Sequence, residues 1–388
     1  MIQKHKYFHK LEDFLHSAQN SFDSIIIALN NKQIGDYELY RLSSALQNQN
    51  TIMFLKLEVY NNKIDNQGAE DLASALSKCN NLLKLSINLS SNNIREKGAS
   101  QIGLGLSNLI NLQSLNLEIG WNNIGDNGVT GLGSAFSNHP NLITLELQVN
   151  NNNINTEGAL GLSRSLAKQT NLTQLNLYIQ DNNIEQQGAS NLISALSSYH
   201  QLINFSINIG WNNIQSKGLQ DIASTLSYCP SLQQLTLWSI YNNIDDQGLC
   251  SLSASLVNCT NLKILEIELG SNSISDQSIT VLGETLVKLQ SISSLLLSLQ
   301  WNNISDYGIS QLSLSLAKCS CLKILQLTAN NCSIGEKGVQ ELFNGLLKCS
   351  KLSIFKLELQ GNEILNEQQY INKFKKIKRI VEQQIQLI

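Results

Sequence analysis

Charge is scarce in this chain. Asp, Glu, Lys and Arg make up 15% of its 388 residues, well under the share usual in globular domains. The formal net charge is −3, so there is no global basic field to draw in nucleic acid, and none is expected as a partner. Long apolar runs are missing as well. Nowhere do roughly 18 apolar residues follow one another, so no membrane-spanning helix is expected. The stretch MIQKHKYFHKLEDFLHSAQN holds no apolar segment long enough for a secretory signal.

Reactive motifs are equally thin. The chain has no Gly-rich phosphate loop, no nucleophile elbow and no paired metal-ligand motif. Gly131 and Gly133 form the nearest glycine cluster, but they lie inside a helical pattern and lack a third glycine. Of five histidines, His5, His9 and His16 sit near the start; His5 and His9 have ligand spacing, yet no further ligand motif accompanies them. Cys319 and Cys321 have no matching Cys-x-x-Cys pair. These absences predict a protein that is not an enzyme and uses no cofactor and no metal. Five of the eight cysteines (Cys79, Cys229, Cys259, Cys319 and Cys349) share one slot of a repeating frame, as small, buried, reduced thiols would. The expectation is a soluble, cytoplasmic protein. Asn88-Leu89-Ser90 and Asn303-Ile304-Ser305 match the glycosylation pattern, but they fall on a strand and in a turn where a glycan would obstruct packing.

What the chain has instead is a period. Asn111 opens NLQSLNLEIGWNNIGDNGVTGLGSAFSNHP, and the same frame returns every 30 residues from Ser21 to the unit that opens at Lys351. That makes twelve units without insertion or deletion, the signature of a solenoid. In the unit from Asn111, Leu115, Leu117 and Ile119 alternate with polar residues, so they face one way from a β-strand. Val129, Leu132 and Phe136 are spaced by three and four and line one helix face. With Leu112 and Ile124 they fill the core. Asp126 and its counterparts Asn66, Thr156, Ser216, Asp246, Asp276 and Asp306 are expected to be the helix N-caps. Gly128 and its counterparts would let neighbouring coils approach closely. Strands pair about 4.8 Å apart and helices need about 8–10 Å, so the sheet should line a concave side and the helices a convex one.

Residues 1–20 are expected to form a helical N-terminal cap, with Tyr7, Phe8, Leu11, Phe14 and Leu15 on one apolar face. Residues 21–365 hold the repeats, and 366–388 a helical C-terminal cap whose face is Ile371, Phe374, Ile377, Ile380 and Val381. Its basic run, Lys373, Lys375, Lys376, Lys378 and Arg379, is read as the solvated side of that helix, with a basic docking tail as the alternative.

The recurring Leu-x-x-Leu-x-Leu, then Asn, Gly and helical leucines, resembles leucine-rich repeats of the ribonuclease-inhibitor type over residues 21 to 365. The resemblance implies an α/β right-handed horseshoe solenoid, with a parallel sheet on the concave side and helices on the convex side. It also implies a polar ladder at Asn62, Asn92, Asn122, Asn152, Asn182, Asn212, Asn242, Asn272, Asn302, Cys332 and Asn362, bonding the turns of adjacent coils. One departure stands out. Two extra residues, such as Glu118 and Ile119, precede the ladder Asn, so the strand should gain one inward residue and family contact positions do not transfer by counting.

Partner chemistry should lie on outward strand positions. Glu58, Glu118, Glu146, Glu266, Glu268 and Glu358 occupy such positions against Lys56, Lys84 and Lys356, a mildly acidic balance that favours a basic partner. Trp121, Trp211 and Trp301 recur 90 residues apart, each just before a ladder Asn. Duplication of a three-coil block accounts for their spacing, and packing into the turn for their size; the other reading is an exposed aromatic row. Tyr178, Trp211, Trp238 and Tyr241 fall on three consecutive repeats, and Trp238 takes an outward strand slot where no core requires an indole. The function expected is a non-enzymatic scaffold binding a protein along the concave face. Two alternatives stay open: a structural subunit of a cytoskeletal or other large assembly, and a GTPase activator of the leucine-rich-repeat type.

Overall fold

The computed structural model describes residues 6–18, 21–137, 139–377 and 380–387. His5, Lys378 and Arg379 lie outside the described residues. The chain forms two compact units, one of Met1–Ile184 with Asn191–Gln201 and one of Glu185–Ser190 with Leu202–Ile388.

In the first unit, β1 (Lys6–Phe8) and α1 (Leu11–Ser17) precede six strands and five full helices. The strands are β2 (Ser24–Ala28), β3 (Phe54–Glu58), β4 (Lys84–Asn88), β5 (Ser114–Glu118), β6 (Thr144–Gln148) and β7 (Gln174–Tyr178). The helices between them are α2 (Asp36–Leu46), α3 (Asn66–Leu76), α4 (Glu96–Leu106), α5 (Gly125–Ser137) and α6 (Thr156–Leu166). Each strand from β1 to β6 pairs in parallel with the next. From β2 onward the partners are 30 residues apart, as in Ser114 with Thr144.

α7 (Glu185–Ile193) contributes to both units. The second unit continues with β8 (Asn204–Asn208), α8 (Gln215–Thr225), β9 (Gln234–Trp238), α9 (Asp246–Leu256), β10 (Ile264–Glu268) and α10 (Asp276–Lys288). Then follow β11 (Ser294–Ser298), α11 (Asp306–Leu316), β12 (Ile324–Thr328), α12 (Glu336–Lys348), β13 (Ile354–Glu358), α13 (Glu367–Lys375) and β14 (Glu382–Gln386). Here too every strand pairs in parallel with its successor.

The core is what the period predicts. Leu112, Leu115, Leu117, Ile119, Ile124, Val129, Leu132 and Phe136 are all buried. Ile119, the extra inward residue, lies past the last residue of β5 yet still bonds the next coil through Ile119 N to Gln148 O at 2.8 Å. The lengthening therefore extends the ladder of backbone bonds and leaves the fold intact.

Three expectations need correction. The helices begin one or two residues earlier than the pattern suggested. Asn66, Thr156, Asp246, Asp276 and Asp306 are first helical residues, while Asp126 and Ser216 are second. Capping falls instead to residues such as Asp65, Asp245, Ser275 and Ser305, whose side chains accept from backbone N–H groups of the first turn. Both positions carry capping types, so residue identity alone cannot separate them.

The start of the chain also differs. Tyr7 and Phe8 belong to β1, and only Leu11, Phe14 and Leu15 to α1; Phe8 still packs edge-on against Phe14 at 5.3 Å. At the other end the helix stops at Lys375, and β14 follows it in place of further helix. The exposed edge of β13 explains this. Its backbone groups are satisfied by Val381 N to Ser353 O and Leu359 N to Gln386 O, and this pairing outweighs local helical preference. Phe374, Ile377 and Ile380 remain buried, but Val381 is 89% exposed.

Candidate functional site

The polar ladder is built from one Asn per coil. Asn92 Oδ1 accepts from Asn62 N at 3.2 Å and Ile64 N at 3.1 Å, while its Nδ2 donates to Val59 O at 3.1 Å and Leu89 O at 2.9 Å. Asn62, Asn122, Asn152 and Asn182 repeat this pattern in the first unit. Asn242, Asn272 and Asn302 repeat it in the second, and Asn212 donates to Ile209 O and Gly210 O. Cys332 keeps the donor half through its thiol, 3.5 Å from Leu299 O, and Asn362 bonds both Cys332 N and Ile334 N. An amide serves here because it offers a donor and an acceptor to buried backbone of two coils at once.

A second ladder went unread in the sequence. Side chains at the first helical turn accept from the following coil: Asp306 Oδ1 takes Gly335 N at 2.7 Å and Gly338 N at 2.8 Å. A Cβ on Gly338 would lie 2.6 Å from that oxygen, so this glycine, like Gly68, Gly158 and Gly308, leaves space for the preceding coil's carboxylate. Ser278 replaces the glycine in one coil, and its hydroxyl donates to Asp246 at 2.5 Å. A third set uses the cysteine slot. Cys349 Sγ lies 3.3 Å from Leu316 O, Tyr199 Oη 2.7 Å from Leu166 O, and Gln49 Nε2 2.6 Å from Ala18 O. Each ties the end of one helix to the next coil. Burial raises the thiols of Cys79, Cys229, Cys259 and Cys319 to about 11, which makes them poor nucleophiles. His139 takes the same slot; burial lowers its pKa against the pull of the Ala135, Leu106 and Leu109 carbonyls.

The turn after each strand holds the tryptophans. Trp121, Trp211, Trp301 and Tyr241 have φ of +55°, +52°, +57° and +54°. Equivalent positions hold Asn31, Asn61, Ser91, Asn151, Asp181, Ser271 and Asn331, also at positive φ. Asn and Asp tolerate this left-handed region, whereas a bulky side chain is strained there. The aromatics do not pack into the turn: Trp121 is 57% exposed, Trp211 48%, Tyr241 52% and Trp301 60%. Trp211 and Tyr241 stack, with ring centroids 5.2 Å apart and planes 20° from parallel.

The sheet face away from the helices carries the carboxylates, half-buried in each case. In the first unit Asn88 Nδ2 and Asn116 Nδ2 donate to Glu118, Gln148 donates to Glu146, and Lys56 pairs with Glu58 at 2.5 Å. Burial raises the Glu118 carboxyl, opposed by the Asn116 hydrogen bond and assisted by the charge of Glu146. Tyr178 lies at the end of β7 in register with Gln148. In the second unit Trp238 Nε1 donates to Glu266 Oε1 at 3.1 Å and Thr236 to Glu266 Oε2 at 3.4 Å. Ser298 and Gln300 donate to Glu268 at 3.0 and 2.7 Å. Trp211, Trp238, Tyr241, Glu266 and Glu268 thus gather at the C-terminal ends of β8, β9 and β10, while Tyr178 and Glu118 belong to the first unit.

A family profile described as Leucine Rich repeat matches residues 110–133 and 206–223. No curated protein matches the chain. Among solved structures it is similar to internalin C2 of Listeria monocytogenes, at 18% identity and a TM-score of 0.36, covering 67% of this chain and 83% of that one. It is also similar to the actin-binding site 2 of leiomodin-1, at 18% identity and a TM-score of 0.27, covering 34% of this chain and 72% of that one.

Proposed function

Because the chain is a leucine-rich-repeat protein with a helix in nearly every coil, we propose that it is a non-enzymatic scaffold that binds a partner protein. The binding surface is the helix-free face of the sheet and the turns that border it. One observation carries this reading: four large aromatic side chains stand exposed in left-handed turns where other coils hold Asn, Asp or Ser. Their rings are not buried in the core, and strain kept at an exposed turn points to use. Trp238 adds an aromatic surface on the strand itself, next to Glu266. A stack of coils is ordered before a partner arrives, so little of the association free energy goes into ordering it.

Eight free cysteines support a reducing compartment as the setting for this scaffold. No helix among the described residues is long and apolar enough to cross a membrane.

The test is native affinity purification from source cells, comparing wild type with Trp238→Leu. A stoichiometric protein partner that the variant loses, at unchanged thermal stability, is the expected result. Recovery of the wild type alone, with no stoichiometric partner at physiological salt, would refute the scaffold reading.

A further inference from the structure

Resting on that reading, we infer that the turn pair Trp211 and Tyr241, with Glu266 and Glu268 beside it, binds an arginine-bearing extended segment of the partner. Three observations converge on this surface. The first is the stack itself. Its two rings lie on adjacent coils, and about half of each residue remains open to solvent. A planar guanidinium can lie on such a face, and aromatic rings attract cations through their quadrupole.

The second is charge. Strands β8, β9 and β10 carry two carboxylates, Glu266 and Glu268, and no Lys or Arg. Nucleic acid would be repelled from this surface; a basic peptide would be drawn to it.

The third is how Glu266 and Glu268 are held. The donors that fix them are neutral: the Trp238 indole and the Thr236 hydroxyl for one, Ser298 and Gln300 for the other. No ion pair among the described residues involves either carboxylate. Their side chains are therefore oriented while their charge is left uncompensated. They stand two residues apart on one strand face, roughly 7 Å along the strand. The turn pair borders them directly, since Tyr241 N donates to Gly270 O, two residues beyond Glu268, at 3.1 Å. An arginine can use both features, stacking on a ring and bonding a carboxylate through its fork, where a lysine offers only a point charge.

The turn supplies its own control. Asn already occupies this slot in other coils at the same φ, so Trp211→Asn with Tyr241→Asn removes the aromatic surface without asking the backbone for anything new. Oligo-arginine, oligo-lysine and cello-oligosaccharide probes would be titrated against wild type, this double variant and Glu266→Gln/Glu268→Gln, with thermal melts alongside. Oligo-arginine should bind about tenfold more tightly than oligo-lysine and quench tryptophan fluorescence. Both variants should lose about tenfold in affinity, and the Asn variant should melt at or above the wild-type temperature. Equal affinity for arginine and lysine, or undiminished binding by either variant, would overturn the inference. So would a cello-oligosaccharide binding where the arginine peptide does not. A stoichiometric native partner recovered alongside any of those results would leave the scaffold reading standing and sink this inference alone.

Discussion

At the scale of single residues, each coil is fixed by side chains that bond backbone of the next coil. His139 is the one histidine in the cysteine slot. Its pKa is lowered by burial, so the folded protein holds it neutral while the unfolded chain protonates it near its ordinary value. The contribution is therefore complete above about pH 6.5 and is lost as pH falls through the depressed folded value. Gln49 fills the same slot with a hydrogen bond to Ala18 O and no charge to gain. His139→Gln should flatten the fall in melting temperature as pH drops below about 6.5, leaving the neutral-pH value within a few degrees. Melting curves of both proteins across that range check it, and parallel curves would show that His139 is not the acid-sensitive group.

Residue identity also sets the limit of what the sequence tells. Leu115, Leu117 and Ile119 declare a strand because alternation is a property of order along the chain. Nothing in Trp211 declares a left-handed turn; the geometry emerges only when the coil closes, and the exposure of the ring follows from it. Asn, Asp and Ser at the equivalent positions were the available signal, since those residues tolerate positive φ.

At the scale of elements, helix starts are coupled between coils. Asp306 bonds the first turn of α12, and Gly338 leaves room for it. Gly338→Ala gains about 1 kcal/mol of helix propensity, but the crowding against Asp306 costs roughly 1–3 kcal/mol. Net destabilisation is expected. Gly338→Ser should be milder, because the Ser278 hydroxyl already meets Asp246 in this way. Urea unfolding of the two variants gives the order, and a serine variant less stable than the alanine one would contradict the shared-carboxylate account. The same coupling explains why reading the sequence misplaced the N-caps: two neighbouring slots both hold capping residues, one serving its own helix and one the next coil's. β14 was missed for a related reason. Its strand conformation answers the open edge of β13, which the sequence of residues 382–386 does not record.

At the scale of the whole molecule, both units repeat one design. Within each, the strands of the repeats, β2 to β7 and β8 to β13, keep a 30-residue register, and coils borrow hydrogen bonds from their neighbours. In such a body the coil is repeated and what varies from coil to coil is the surface it presents. The aromatic turns and the uncompensated carboxylates are that variation. The period made the fold legible in advance, and the outward strand slots were legible with it. The aromatic turns were candidates from their spacing alone; their left-handed angles and exposure emerged only with the structure.

The central claim is that partners meet the helix-free sheet face and its bordering turns. Amide hydrogen exchange on the co-purified complex, against the free protein, tests it most directly. Added protection at residues 238–242 and 266–272, with the exchange of α8 and α9 unchanged, is the predicted result. Protection confined to the helices, or to the basic α13, would contradict it.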